Sequence, residues 1–145
     1  ELSLYRGGDI QVLDVNGAME IENYGGGIKA TNVSGPIVAE TQRKDIEILF
    51  SKLNQKDPSF LTSHMGNIDI SVPKKMKSRV EIQTYLGEIY SGLDEAFKPS
   101  TKVEKNKKGT GQEIILGGLV AADVNGGGQR LTLNTYKGDI FIRKQ

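Results

Sequence analysis

Two pairs of acidic residues have a spacing that a glycoside hydrolase could use. Glu20 with Glu22 and Asp45 with Glu47 are each two positions apart, which is about 6.6 Å along a β-strand, and such hydrolases act through two carboxyl groups at a set separation. Both pairs fall on the outward positions of an alternating pattern, where solvated charges normally lie. The sequence also lacks G-x-S-x-G, H-E-x-x-H and P-loop motifs. We therefore predict no catalytic residues, with a polysaccharide-active enzyme as the alternative.

The other residues that could bind a cofactor or a metal ion are isolated. His64, the single histidine, occupies a position that valine or tyrosine takes elsewhere in the chain, so a packed corner residue is favoured over a ligand or a base. Residues 25–30 read GGGIKA and match the dinucleotide fingerprint, but that fingerprint needs a strand followed by a helix, and a strand pattern continues here. Calcium-binding nonapeptide repeats need acidic residues in tandem, whereas here they recur only at Asp9, Asp14, Asp123 and Asp139. We predict no cofactor and no metal.

A lysine-rich segment is the candidate for contact with anions. It contains Lys102, Lys105, Lys107 and Lys108, with Glu104 among them. No aromatic residue is interleaved for stacking, as a nucleic-acid surface would require. A solvated hairpin tip or loop is the favoured interpretation, and an anion-binding patch is the alternative.

These side chains must be positioned by a repeating element, because the sequence is built on a nine-residue unit. From Gly8 the chain reads GDIQVLDVN, GAMEIENYG, GGIKATNVS and GPIVAETQR without a gap. Internal repeats of this kind identify an architecture before any single motif does. Each anchor glycine follows an apolar residue by five positions and an Asp, Asn, Ser or Thr by three. The predicted corner glycines are Gly17, Gly26, Gly35, Gly66, Gly87, Gly126 and Gly138.

Each aligned position has a physical interpretation. Apolar residues two positions apart are the period of a β-strand with one face on a core. The short polar residue bends the chain, since its side-chain oxygen can accept a hydrogen bond from a backbone amide two residues on. The glycine either takes a positive φ or lets another backbone come close. Short strands and corners therefore alternate along the chain.

Two all-β architectures can cover the apolar faces. In a β-sandwich the strands pair antiparallel through hairpins, whereas in a β-solenoid the chain coils and each turn stacks on the last. The short polar residue at one fixed offset favours the solenoid, because stacking places these residues in a ladder. We predict one all-β solenoid domain over residues 1–145, with excursions near 51–60 and 93–113, and a β-sandwich as the alternative. Both two and three nonamers per turn remain open.

Composition excludes several classes of protein. The chain has 145 residues, enough for one domain with a core. Its 18 glycines come with only 4 prolines, which excludes collagen, and the lack of cysteine excludes disulfide scaffolds and thiolate metal sites. The net charge of +1 argues against a protein built to coat nucleic acid or an anionic membrane. No apolar stretch approaches the roughly 18 residues of a transmembrane helix.

Three segments resemble a known family. They are GNIDI at 66–70 followed by Pro73, NGGG at 125–128, and GDI at 138–140. From Gly8 to Lys144 the chain resembles the bacterial adhesin-like domains of unknown function, which carry G-D-I repeats and are common in surface proteins of Bacteroidetes and Firmicutes. The resemblance implies a single-stranded right-handed β-helix without established catalytic residues. The usual corner sequence is replaced by HMGN at 64–67 and by YLGE at 85–88.

The resemblance and the lack of catalytic signals together predict a binding function. We expect a noncatalytic adhesin-like or scaffolding domain that binds a glycan or a surface protein, and no nucleic acid. The chain starts at Glu1 without a basic and apolar leader, which suits a processed protein exported to the cell surface, the periplasm or the medium. The rival functions are a carbohydrate-active β-helix enzyme and an accessory sensor domain of an envelope-stress system.

Overall fold

The computed structural model describes residues 2–4, 8–52, 57–93, 97–99, 104–107, 113–116 and 119–145. These residues form strands and corners without a helix, and the strands make two sheets. In order of pairing, sheet 1 contains β1 (Leu2–Leu4), β3 (Met19–Asn23), β5 (Ile37–Thr41), β7 (Ser59–Ser63), β15 (Gln129–Thr135), β9 (Ser78–Thr84), β14 (Leu119–Val124) and β11 (Phe97–Pro99). Sheet 2 contains β12 (Glu104–Lys107), β13 (Glu113–Leu116), β10 (Ile89–Ser91), β16 (Ile140–Lys144), β8 (Ile68–Val72), β6 (Ile46–Phe50), β4 (Ile28–Val33) and β2 (Ile10–Leu13).

From β1 to β10 the strands alternate between the sheets, and each pairs in parallel within its sheet. Ile10 pairs with Ile28 and Ile28 with Ile46, each 18 residues later, which is two nonamers. Ile46 pairs with Ile68, 22 residues later. The four added residues fall between β6 and β7, where the repeat predicts an excursion, and residues 53–56 of it lie outside the described part. Parallel pairing between strands that alternate sheets is the stacking of a coil, not the hairpin pairing of a sandwich.

The core consists of side-chain ladders between the two sheets. Buried and partly exposed positions alternate in β6, β8 and β9. The isoleucines that begin the stacked strands of sheet 2 are at most 2% exposed. They are Ile28, Ile46, Ile68, Ile140 and Ile89. Burying one such side chain stabilises the fold by about 1.5–3 kcal/mol, so the alternation in the sequence supplies most of the driving force.

A second ladder, of polar side chains, closes the corner that leads from sheet 1 to sheet 2, which we call the glycine corner. Asn23, Ser63, Thr135 and Thr84 end their strands and are at most 5% exposed. Each accepts a hydrogen bond from the amide of the glycine three residues on, at 3.0–3.1 Å, one residue farther than the turn geometry predicts. Each also donates to a backbone carbonyl of the neighbouring turn at 3.0–3.1 Å. The ladder therefore bonds each turn to the next.

The seven aligned glycines occupy three places. Four stack in the glycine corner, where a Cβ on Gly87 would overlap the carbonyl group of Gly138 on the adjacent turn. Gly17 and Gly35 stack in the opposite corner, which leads from sheet 2 back to sheet 1 and which we call the return corner. Because a turn contains two nonamers, one sequence offset falls alternately in the two corners.

The stacking order departs from the sequence order at the C-terminal end. β15 pairs in parallel with β7 on one side and with β9 on the other, and β16 lies between β8 and β10. The last turn is thus inserted between two earlier turns. The prediction that each turn stacks on the last is wrong here, because a nonamer specifies a strand and a corner but not which neighbour they pair with.

The segment Asn125–Gly128, which we call the strap, permits this insertion. β14 pairs antiparallel with one edge of β9 while β15 pairs with the other, so the strap crosses the start of β9. Asn125 Nδ2 donates to the carbonyl oxygens of Lys74 and Met76 at 3.1 and 2.7 Å. A Cβ on Gly128 would crowd the carbonyl of Lys77. The glycines of the strap, Gly126 included, therefore serve a crossing of two chains and not a corner.

The second predicted excursion, near 93–113, contains strands where it is described. β12 pairs antiparallel with β13, and β11 pairs antiparallel with β14. Residues 94–96, 100–103 and 108–112 lie outside the described part. The described strands extend both sheets beyond the parallel stack.

Candidate functional site

Two rows of residues just before the glycines of the glycine corner line its outer side. The first row stacks Tyr24, Gln42, His64, Tyr136 and Tyr85, and the second stacks Gly25, Arg43, Met65, Lys137 and Leu86. Backbone hydrogen bonds hold neighbouring turns together at this level, from the Lys137 amide to the His64 carbonyl at 3.2 Å and from the Leu86 amide to the Tyr136 carbonyl at 2.9 Å. With the backbone groups paired to each other, the side chains lie outside the stack.

Large apolar side chains are concentrated in these rows. Eight large hydrophobic residues are exposed among the described residues, and four of them lie here: Tyr85 (70%), Leu86 (67%), Met65 (51%) and Tyr136 (49%). We call these four residues together with His64 the aromatic corner. Contiguous exposed apolar surface on a folded domain marks a contact site more often than scattered residues do, so the aromatic corner is the candidate functional site.

The tyrosines of the aromatic corner form a pair. The ring centroids of Tyr85 and Tyr136 lie 5.3 Å apart with the ring planes tilted by 35°, a geometry that aromatic rings favour. On the other side of Tyr136 along the stack comes His64, whose Nε2 lies 3.4 Å from Glu40 Oε1. The site thus combines exposed ring surface with groups that donate and accept hydrogen bonds.

The inserted C-terminal turn completes this site. Tyr136 belongs to the corner after β15, and Tyr85 belongs to the corner after β9. Only the insertion of β15–β16 between β7–β8 and β9–β10 places Tyr136 between His64 and Tyr85. The segments TYLGEI and TYKGDI are visibly alike in the sequence, but the repeat gives no sign that they are neighbours. Sequence reasoning treated His64 as a packed corner residue, whereas the structure exposes it.

The acidic residues that follow the glycine corner are occupied by backbone contacts. Asp45 Oδ1 accepts a hydrogen bond from the Asn67 amide at 2.8 Å, and Asp139 Oδ1 accepts one from the Glu88 amide at 2.8 Å. Asp9 Oδ1 does the same for the Gly27 amide at 2.8 Å. The aspartate of the G-D-I motif therefore caps the strand start of the neighbouring turn.

The remaining acidic candidates lie apart from each other. Glu47 forms an ion pair with Lys29 at 3.8 Å, and Asp123 accepts a hydrogen bond from Arg79 at 3.0 Å. Asp14 accepts one from Asn32 at 2.7 Å. Glu20 and Glu22 lie in β3 opposite Val38 and Glu40 of β5. Among the described residues no group of three or more His, Asp or Glu side chains is arranged to hold a metal ion.

A second aromatic pair lies on the outer face of sheet 2. Tyr90 and Phe141 stack with centroids 4.9 Å apart and planes 7° apart. The Arg143 guanidinium lies 5.1 Å from the centre of the Phe141 ring, and its Nε donates to both carboxylate oxygens of Asp69, at 2.9 and 3.0 Å. This network satisfies its own members, so it offers a ligand less than the aromatic corner does.

Two groups of this network have shifted pKa values. Burial raises the pKa of the Asp69 carboxyl, against the hydrogen bond and charge of Arg143, which lower it. The hydrogen bond that the Tyr90 hydroxyl donates to Glu88 raises the pKa of Tyr90 to about 12. Both shifts favour the protonated form in a network on a solvent-facing sheet, and neither is accompanied by a cleft.

Two further predictions from the sequence fall elsewhere. Residues 25–30 form the glycine corner and the start of β4, with no helix after them, so the dinucleotide fingerprint lacks the helix that would bind a pyrophosphate. Lys105 and Lys107 lie in β12, while Lys102 and Lys108 lie outside the described residues. The described part of the chain also contains no helix that is long and apolar enough to cross a bilayer.

Comparison with known proteins gives one finding. A family model described as Toastrack DUF4097 matches residues 6–114. It ends before β14, β15 and β16, so it leaves out the segments NGGG at 125–128 and GDI at 138–140, and its description contains no adhesin function. Neither the curated proteins nor the solved structures include a match to this chain.

Proposed function

Because this chain belongs to the Toastrack DUF4097 family of domains of unknown function, its activity has to be inferred from its surfaces, and we propose that it is a noncatalytic binding domain whose aromatic corner contacts a glycan. The observation that supports this proposal is the exposed tyrosine pair, Tyr85 and Tyr136, on two adjacent turns. The described part of the molecule offers no comparable grouping of exposed large side chains.

The chemistry of the aromatic corner suits a sugar. One face of a pyranose ring carries only C–H groups, and it packs on an exposed aromatic ring, while the hydroxyls around its rim need hydrogen-bond partners. Tyr85 supplies the most exposed ring, with 70% of its surface accessible. The ring nitrogens of His64 and the amine of Lys137 lie on adjacent turns and supply polar contacts. Successive turns are about 4.8 Å apart, so an extended oligosaccharide could follow the stack.

The proposal leaves out catalysis because the carboxylates of the glycine corner cap backbone amides. The rival hydrolase rests on one observation: Glu47 pairs with Asp69 across β6 and β8, and Arg143 is bonded to Asp69. Those carboxyl groups belong to strands about 4.8 Å apart, a separation that a retaining glycosidase could use. Release of reducing ends from a polysaccharide by the wild-type chain, abolished in Asp69→Asn, would establish the rival.

The proposal includes the finer features of the fold and its location. We propose one right-handed solenoid in which the nonamer is half a turn, and an exported domain displayed at the cell surface, in the periplasm or outside the cell. Glycans are concentrated there, and an elongated stack suits adhesion or scaffolding. A sensor role in envelope stress would need a protein contact and is not supported by any feature described above.

A glycan array tests the proposal. The wild-type chain is expected to bind a subset of glycans, and Tyr85→Ala is expected to weaken that binding at least about tenfold, as loss of an aromatic anchor does. The control is Phe60→Ala, because Phe60 is a similarly exposed ring (41%) on the outer face of sheet 1. Equal loss in both variants, or retained binding in Tyr85→Ala, would show that the aromatic corner is not the site.

A further inference from the structure

Five exposed lysines lie at the return corner, on the opposite edge of the solenoid from the aromatic corner. We call them the lysine edge. They are Lys52, Lys74, Lys75, Lys77 and Lys144. None of them belongs to the lysine-rich segment that the sequence singles out.

Pairing between β6, β8 and β16 brings these lysines together. Lys144 pairs with Val72 at the end of β8, and the side-chain amide of Gln145 donates to the Phe50 carbonyl at the end of β6 at 2.7 Å. Lys52 follows Phe50 by two residues, and Lys74 follows Val72 by two residues. The lysine edge therefore extends over three adjacent turns.

The backbone beneath the central lysines is held in place. Met76 is 5% exposed, and its amide donates to the Pro73 carbonyl at 3.0 Å. The strap residue Asn125 bonds the carbonyls of Lys74 and Met76. Burial of Met76 leaves Lys74, Lys75 and Lys77 on the solvent side, so the three positive charges stay together on a fixed turn.

The charge of the lysine edge is not neutralised by its surroundings. Among the described residues none of the five lysines forms an ion pair. The nearby Arg79 and Arg143 are paired with Asp123 and Asp69. Asp57 is the acidic residue in the same connection as Lys52. The net charge of +1 for the whole chain thus hides a separation of charge.

From this arrangement we propose that the lysine edge docks the domain on an anionic lipid bilayer. All five cations are lysines, which act as point charges, whereas arginine provides the planar fork that recognises individual phosphates or carboxylates. They protrude from a convex edge across three turns, which suits a charged plane better than a single chain. Lysine clusters of this size are attracted to anionic membrane surfaces by about 1 kcal/mol per residue.

This docking is independent of the proposed glycan binding. In a coil with two strands per turn the two corners are at opposite ends of the strands. A domain held by the lysine edge would therefore present the aromatic corner away from the bilayer. Both contacts can be made at once, and each can fail alone.

Vesicle co-sedimentation with the full chain tests the inference. The chain is expected to sediment with vesicles of phosphatidylcholine and phosphatidylglycerol, but not with phosphatidylcholine alone, and added salt should release it. The triple variant Lys74→Gln, Lys75→Gln, Lys77→Gln should partition about a hundredfold less, at about fivefold per lysine. These side chains are exposed, so the variant is expected to fold, and its melting curve checks this.

The matched control removes the same charge from the glycine corner. Arg43, Lys44 and Lys137 are also exposed, and their triple substitution by glutamine should leave sedimentation near the wild-type level. Equal loss in both triple variants would reduce the effect to net charge and overturn the inference. So would a wild-type chain that ignores anionic vesicles. Binding to soluble polyphosphate without binding to vesicles would overturn it in favour of a polyanionic chain as the partner.

Discussion

Tyr85 and Tyr136 are separated by 51 residues in the sequence, yet their ring centroids lie 5.3 Å apart. The contact exists because β15 pairs with the full length of β9, from Gln129 opposite Ser78 to Thr135 opposite Thr84. Fold and site are therefore linked: the same inserted turn that fills the gap between β7–β8 and β9–β10 supplies half of the tyrosine pair.

The close approach of turns at the glycine corner predicts a large cost for a methyl group there. Gly87→Ala is expected to lower the free energy of unfolding by about 2 kcal/mol or more, because the new Cβ would overlap the Gly138 carbonyl group and the turns cannot separate without losing packing. Gly92→Ala is the control, since its Cβ would lie 3.5 Å from the Ile142 carbonyl oxygen, an ordinary contact. Urea denaturation compares the two, and equal stability would contradict the assigned register.

Two threonines of β15 provide a test of the polar ladder. Thr135→Val should lower the free energy of unfolding by about 1–3 kcal/mol, because it leaves the Gly138 amide and the Gly66 carbonyl without their hydrogen-bond partner. Thr132→Val should be neutral or stabilising, because the buried Thr132 Oγ1 has no hydrogen-bond partner among the described residues. Thermal unfolding of both variants checks this, and the reverse order would refute a stabilising role of the ladder.

The inserted turn should be a keystone for its two neighbours. Leu133 is fully buried in β15, and Leu133→Ala is expected to cost about 2–5 kcal/mol. Hydrogen exchange should then speed up in β7 and in β9, although these strands are not consecutive in the chain. Leu13→Ala, at a residue that is 72% exposed, serves as the control. Faster exchange confined to β15 and β16 would argue against the keystone role.

The raised pKa of Asp69 predicts a pH dependence with a definite sign. Its folded-state pKa lies above the ordinary value of 3.8 because burial disfavours the charged carboxylate. The folded state therefore binds the proton more tightly than the unfolded chain, so the contribution of Asp69 to stability grows as the pH falls through the folded pKa. A carboxyl NMR titration measures the midpoint. Arg143→Gln should raise it further and Glu47→Gln should lower it, since Arg143 lowers and Glu47 raises the pKa. A midpoint that ignores both variants would exclude this explanation.

The sequence predicts local structure better than assembly. The alternation in MEIEN and VEIQT fixes the buried face of β3 and β9, and the residue three before each glycine predicts the polar ladder that Thr84 and Thr135 form. The insertion of β15–β16 is not predictable in this way, since Ile140 pairs as well with Ile68 as with Ile89.

The charged and aromatic surfaces were harder to predict for the same reason. Lys144 and Lys74 are 70 residues apart and meet only through the pairing of β16 with β8. The conspicuous lysine run at 102–108 drew attention instead, because sequence proximity was the only guide. A near-zero net charge likewise says nothing about how lysines are distributed between two corners.

The most direct test of the central claim is an NMR titration of the ¹⁵N-labelled full chain with the strongest glycan from the array. Binding at the aromatic corner predicts that the largest amide shifts fall on Met65, Tyr85, Leu86 and Tyr136, on three turns that are stacked but not consecutive in the chain. Shifts centred instead on Asp69, Tyr90 and Arg143 on the outer face of sheet 2, or no shifts with any glycan, would contradict the account.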